Sequence, residues 1–235
     1  MSKFDSKNIL FGILNSFIIF ILVQIIGFLP FFIAHALIGN EAQNLTLVYT
    51  DIAYLSVIAI YLRKNIITKI VDELHFQKTK IKTAFIMIWL AGLAYIATSV
   101  YVHLLMEVAP GQLVGSVGKI FNINGIFSNI LTPFIIAPVL EEIIFRGIIG
   151  RIFHMFENQS SIKTTLYIIF SAIAFAGMHI QITTSFIQNA NMFGQTFLAG
   201  AAFAGVYIKT KNLTNNIIMH SGYNLFTSIL LILLT

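Results

Sequence analysis

Seven long apolar stretches govern what this chain can fold into. They run over residues 9–35, 45–62, 83–106, 126–150, 162–181, 192–208 and 214–234, and all but the fourth are nearly free of charge. A helix needs about 20 mostly apolar residues to cross the hydrocarbon core of a bilayer. Within that core every backbone N–H and C=O must be bonded inside the protein, which favours helices as the spanning elements. The expectation is therefore all-α: a polytopic transmembrane helical bundle of about seven spans. Composition agrees, with 57% of residues hydrophobic and only 10% charged, against about 45–50% and roughly 25% in soluble domains. A soluble core cannot hide so much apolar surface. Lys3 and Lys7 precede the first stretch, as they would in a signal peptide. Its apolar run is longer than a signal core and lacks a clear small-residue cleavage site, so it reads as a retained span.

Basic residues orient the spans. Lys3 and Lys7 lie before the first; Arg63, Lys64, Lys69, Lys78, Lys80 and Lys82 fall between the second and third. Arg151 and Lys163 follow the fourth, and Lys209 and Lys211 follow the sixth, whereas the opposite side carries Lys119 alone. By the positive-inside rule the N-terminus is cytoplasmic and the C-terminus outside. The net charge of +5 thus reflects topology, and nucleic acid is not an expected partner. With no cysteine in the chain, a disulfide framework and thiolate chemistry are both excluded.

The spans form one integrated membrane domain with two parts. Residues 1–124 hold spans one to three, including a cytoplasmic segment at 63–82. Within it Ile66, Ile67, Ile70, Val71 and Leu74 recur at helical spacing, which predicts an amphipathic helix on the inner membrane surface. The outer connection, 107–124, reads as an irregular loop. Residues 125–235 hold spans four to seven. In the sixth, Gly200 and Ala204, then Ala201 and Gly205, stand four apart, a spacing that lets helices approach closely in lipid.

Ionisable groups inside a span are costly and usually face a cavity or a partner. Asp51, His35, His103, His75 and His154 lie near span ends or in connections and read as interfacial residues. Glu141, Glu142 and Arg146 lie within the fourth span, His179 late in the fifth, and His220 with Asn224 in the seventh. Glu142 and Arg146 are four apart with the acid first, the favourable order for a helical ion pair. Adjacent helical residues point about 100° apart, so Glu141 should face elsewhere, with no partner in its own helix, and do a different job. A desolvated carboxylate of that kind suits a general base working near neutral pH. His220 and Asn224 share a helix face and offer a ring N–H and an amide to a developing oxyanion. His179 could hold the water that Glu141 activates. Glu141, His179 and His220 could equally bind zinc with one position open, although no H-E-x-x-H motif is present.

The segments "EEIIFR" at 141–146, "FAGMH" at 175–179 and "HSGYN" at 220–224 resemble, in order, the E-E-x-x-x-R, F-x-x-x-H and H-x-x-x-N motifs of the CAAX-protease and bacteriocin-processing family of intramembrane proteases. The resemblance covers roughly residues 125–235, and spans one to three match only in being hydrophobic. It implies a site in a cavity among membrane helices and peptide-bond hydrolysis as the reaction. By position, Glu141 would be the general base and His179 would help hold its water. His220 and Asn224 would form the oxyanion site, Glu142 with Arg146 would support the geometry, and Phe175 would shape the pocket wall. These roles require no metal, with zinc as the alternative. Eukaryotic members trim prenylated C-termini, whereas bacterial members are linked with peptide processing and self-immunity to bacteriocins. A chain rich in Ile, Asn and Lys suits an AT-rich bacterium. The expected substrate is therefore a peptide or membrane protein, within the lipid bilayer of a bacterial plasma membrane.

One difficulty stands against a single site. With straight spans, His179 lies about 17 residues above the inner end of its helix and His220 only about six above that of its own. At 1.5 Å per residue those heights differ by some 15–17 Å. Two other functions also fit intramembrane Glu, His and Arg: a proton-coupled transporter, and a non-catalytic adaptor that binds a partner.

Overall fold

The five described apolar stretches fold as helices, and no strand occurs among the described residues. The computed structural model describes residues 74–106, 127–153, 155–156, 160–180 and 186–233, with single helical positions scattered before residue 59. The expected first two spans, most of the 63–82 segment, the 107–124 connection and both termini lie outside the described residues. Five helical runs remain, each within a few residues of an expected span except at the start of the fourth: α1 (Ile81–Met106), α2 (127–152), α3 (Ser161–Gly177), α4 (Phe186–Thr210) and α5 (Leu213–Leu233). Helix α1 packs along α5, α3 packs along α4, and α2 runs among α3, α4 and α5.

Helix α1 shows what solvent the fold is built for. It is apolar all round, and it is the one helix among the described residues both long and apolar enough to cross a membrane, over Ile81–Tyr101; Ser161–Gly177 is apolar but shorter. Phe85, Trp89 and Ile96 on α1 are exposed, which suits lipid. Its other side meets α5 through small residues, the packing mode that serves where no hydrophobic force drives association. A Cβ on Gly222 would sit 3.1 Å from that of Ala91. The seam is pinned by a buried hydrogen bond of 2.9 Å between the Thr98 and Tyr223 hydroxyls.

Prolines set the form of α2. Pro133 and Pro138 lack an N–H to give the helical ladder. The chain responds by winding as a π-helix over Phe127–Ile136, as an α-helix over Ala137–Glu142, as a π-helix again over Ile143–Ile148, and as α over Ile149–Ile152. Irregular winding inside a membrane is tolerated where neighbours satisfy the freed backbone groups. Here they do. Asn224 Nδ2 donates to the Pro133 carbonyl at 2.7 Å, whose partner five residues on, in π register, would be Pro138. On α3, Ser171 Oγ donates to the Phe145 carbonyl at 2.7 Å and Tyr167 OH to that of Arg146 at 3.2 Å.

The segments rich in Lys and Arg meet at one end of the bundle. Residues 74–80 form a strap across it. Tyr207 OH donates to the Leu74 carbonyl at 3.2 Å, the Leu213 N–H to that of His75 at 3.0 Å, and the Gln77 N–H to Asn212 Oδ1 at 3.3 Å. Thr79 Oγ1 donates to Asn215 Oδ1 at 2.6 Å. Of the expected amphipathic segment only the end is described: residues 74–75 form a turn, 76–80 take no regular secondary structure, and Leu74 is fully buried against the protein. A Cβ on Gly147 would touch its side chain at 3.1 Å. The small-residue face of α4 also divides: Gly200 and Ala204 are buried, whereas Gly205 meets open space.

Candidate active site

The polar residues of α2 sit where its α-helical piece passes into the second π-helical piece, and both glutamates are buried there. The i, i+4 pair forms as expected. Arg146 Nη1 lies 3.0 Å from Glu142 Oε1, with neither side chain exposed. The N–H directions miss the oxygen, so the contact is an ion pair without a hydrogen bond. Arg146 is held elsewhere too. Its Nη2 donates to the Gly200 carbonyl at 3.0 Å, and its guanidinium carbon lies 4.5 Å from the Phe175 ring centre and 5.3 Å from that of Phe203. Gly200 permits this approach, since a Cβ there would come within 3.0 Å of Phe175 and 3.2 Å of the Ala172 backbone.

His220 enters between the two glutamates. Its Nδ1 lies 2.9 Å from Glu142 Oε1 and its Nε2 lies 3.6 Å from Glu141 Oε2. Against the arginine-paired carboxylate, which can only accept, Nδ1 is the donor. The Nε2 contact is longer than a hydrogen bond and leaves that edge of the ring on the cavity side. The imidazole stacks on Phe203, with centroids 4.7 Å apart, and meets Phe175 edge-on at 5.5 Å. The expectation that the two glutamates face different ways did not include a side chain from another helix between them. Their side chains leave the helix in different directions, but a ring from α5 reaches both.

Phe175 solves the height difficulty. Its ring lies 4.7 Å from that of His179 as well as 5.5 Å from that of His220, so one side chain touches both histidines. Helix α3 ends at Gly177, and His179 folds back so that its Nδ1 lies 2.8 Å from the Phe175 carbonyl. A carbonyl only accepts, so Nδ1 donates and Nε2 keeps its lone pair. The contact through Phe175 brings both histidines to one cavity, although straight spans would hold them apart.

A cavity of about 310 Å³ joins these groups, lined among others by Glu141, Phe175, His179, His220, Asn224 and Thr132. Glu142 and Arg146 lie behind its wall. Asn224 is on the cavity as expected, with its amide also tied to Pro133. Glu141, His179 and His220, the residues of the alternative zinc set, all line this cavity, and among the described residues no three His, Asp or Glu side chains lie close enough together to form a metal-ligand group.

Asn216 was missed by the sequence reading. It is fully buried on α5, and its Nδ2 donates to Glu142 Oε2 at 3.0 Å and to the Phe203 carbonyl at 2.7 Å. Glu142 is thereby fixed from three sides, by Arg146, His220 and Asn216. The available signal was spacing, because Asn216, His220 and Asn224 stand four apart and share one helix face.

Comparison with known proteins gives one match. Residues 123–226 match the family described as type II CAAX prenyl endopeptidase, Rce1-like. The span takes in all three motifs and bears out the resemblance they carry. No curated protein sequence and no solved structure matches the chain.

Proposed function

We propose that the Rce1-like CAAX-protease domain at residues 123–226 works as an intramembrane endopeptidase that cuts a peptide or membrane-protein substrate with glutamate-activated water. One observation carries the reading: His220 is held by Glu142 at Nδ1 while its Nε2 faces Glu141 at a cavity wall. In this account Glu141, on the cavity, takes a proton from water as the water attacks the scissile carbonyl. His179 Nε2 can accept the water's other hydrogen and so fix its position. With a proton on each ring nitrogen, His220 gives Nδ1–H to Glu142 and, together with the Asn224 amide, gives Nε2–H to the carbonyl oxygen as negative charge develops there. Once Glu141 is protonated it no longer competes for His220, whose N–H is then free for the oxyanion. Glu141 next returns the proton to the leaving amine, which closes the cycle.

Glu142 acts through His220, and it is therefore a positioning residue. Arg146 and Asn216 fix the carboxylate, the carboxylate fixes Nδ1–H, and the opposite nitrogen is aimed at the cavity. The basic residues gathered at the bundle end support a topology with that end cytoplasmic, in an integral membrane protein of seven spans. A bacterial plasma membrane and a role in peptide processing or bacteriocin self-immunity belong to the same reading. The test compares membrane and secreted peptides from cells making wild type or Glu141→Gln. A defined peptide should accumulate uncut in the variant. Identical peptide profiles would refute the protease reading in favour of a transporter or adaptor.

A further inference from the structure

We infer that Gln195 holds the substrate by its backbone. Its side-chain oxygen accepts the N–H of a peptide bond close to the one cut, and a hydrogen-bonded relay from helix α1 sets it in that position. This rests on the protease reading of the site and adds a residue that reads what is cut.

The relay starts at the Tyr95 carbonyl on α1. Thr98 Oγ1 donates to it at 3.0 Å, which commits the single hydroxyl proton of Thr98. In the buried contact of 2.9 Å between the Thr98 and Tyr223 hydroxyls, the donor is therefore Tyr223. The Tyr223 oxygen is left with lone pairs only. Gln195, on α4, is a side-chain hydrogen-bond partner of that oxygen, so it approaches with its amide N–H. Each bond thus takes its direction from the one before. Oε1 is the atom left over, on a residue that lines the cavity.

The surroundings hold this arrangement. Tyr223 is buried, with its ring edge-on to Phe203 at 5.7 Å and to Tyr95 at 6.2 Å. At Gly194, the residue before Gln195, a Cβ would run into the Tyr101 phenol. Only glycine lets α1 and α4 close together there. Thr98 and Tyr101 lie outside the matched residues 123–226, so α1 enters the site through these contacts.

The position suits a peptide. Tyr223 stands three residues after His220 and one before Asn224, about 5 Å along the helix axis from His220. An extended chain advances about 3.3 Å per residue. A peptide whose carbonyl oxygen sits on His220 and Asn224 therefore brings an N–H to Gln195 within about two residues of the cut bond. Unwound in a membrane site, it has given up its helical bonds, and each N–H needs an acceptor. The nearby hydroxyl protons are already spent, since Thr196 donates to the Met192 carbonyl at 2.6 Å and Thr227 to that of Tyr223 at 3.0 Å. An amide oxygen bonding main chain gives affinity and leaves side-chain choice to the pocket walls.

The probe is a synthetic segment, spanning the cut bond, of the peptide that accumulates in Glu141→Gln cells. Copies carry an ester in place of one peptide bond at a time, the cut bond excepted, so that an N–H becomes an oxygen that cannot donate. With the full wild-type chain in detergent, one ester near the cut bond should raise KM roughly three- to tenfold, the scale of one neutral hydrogen bond. Its kcat should change little, as for a contact made equally in ground and transition states. Gln195→Leu should raise KM on the all-amide probe by a similar factor and be indifferent to that ester. Thr98→Val and Tyr223→Phe act through Gln195 as positioning changes. They should raise KM less and weaken the response to the same ester, which a purely structural loss would leave intact. If the losses from Gln195→Leu and the ester multiply, or if Gln195→Leu keeps the wild-type KM, the inference is overturned while the protease reading stands. If no peptide accumulates, or wild type leaves the probe uncut, the protease reading falls and takes the inference with it.

Discussion

Glu141 and Glu142 are adjacent in the chain, yet each belongs to a different region of the molecule. Glu142 lies in the closed half, fully buried, with an ion pair to Arg146 and bonds from His220 and Asn216. Glu141 lies at the boundary of the open half, on the wall of a cavity, with one edge of His220 nearby. The closed region spends its polar groups on one another, and the result is a rigid mount for a single imidazole. The open region leaves its polar groups facing a cavity of about 310 Å³. Two identical side chains thus sit in two different settings because their neighbours differ.

The sharpest way to break this comparison is to remove the cation of the closed half. Arg146→Met keeps length and apolar bulk but leaves Glu142 buried without its charge partner. Breaking such a pair from one side costs about 3–5 kcal/mol, so thermal unfolding in detergent should fall sharply. If Arg146→Met melts like wild type, Glu142 is not mounted as described. A smaller effect is expected from Asn216→Leu, which leaves Glu142 Oε2 and the Phe203 carbonyl without that donor. Buried groups left unsatisfied cost about 1–3 kcal/mol each. Because Glu142 aims His220, turnover should fall with little change in KM. A variant that loses stability but keeps its kcat would reduce Asn216 to a packing role.

The smallest effect concerns the strap. Burial first, and then the nearby Lys211 ammonium, hold the His75 imidazole below its usual range. In the unfolded chain the same ring takes up a proton near its ordinary value of about 6.5. Below that pH the unfolded state binds more protons, so stability is full above about 6.5 and is lost as pH falls. Hydrogen exchange of the 74–80 amides should therefore quicken between about pH 7 and about pH 5.5 beyond its intrinsic trend. His75→Asn removes the titrating ring and suits the left-handed backbone at this position, where φ is 55°. It should abolish that excess. An unchanged excess would show that His75 does not govern the strap.

Much of the site was legible because its chemistry is carried by residue type within single helices. Four-residue spacing identified the Glu142–Arg146 pair and the shared face of His220 and Asn224, and the structure places them so. What spacing within one helix cannot reveal is which side chain arrives from another. The position of His220 between the glutamates depends on how α5 packs on α2, and so does the donor role of Asn216. An asparagine early in a span reads as interfacial until its partners are known. The shared site of His179 and His220 was not legible either, since only tertiary packing shows Phe175 touching both rings. Proline signalled a break in α2. The π-helical windings, and the hydroxyls of Tyr167 and Ser171 that satisfy them, are consequences of tertiary packing.

The most direct measurement purifies Glu141→Gln and Glu142→Gln in detergent and records melting temperature and peptide cleavage on the same samples. Glu141→Gln should melt at or near the wild-type temperature while cleavage falls about 10²-fold or more, the scale of losing a general base. Glu142→Gln leaves Arg146 without its charge partner and should lose stability as well as activity, on the order of 3–5 kcal/mol. Near-wild-type cleavage by Glu141→Gln, or unfolding of Glu141→Gln while Glu142→Gln stays intact, would contradict the division between the two glutamates.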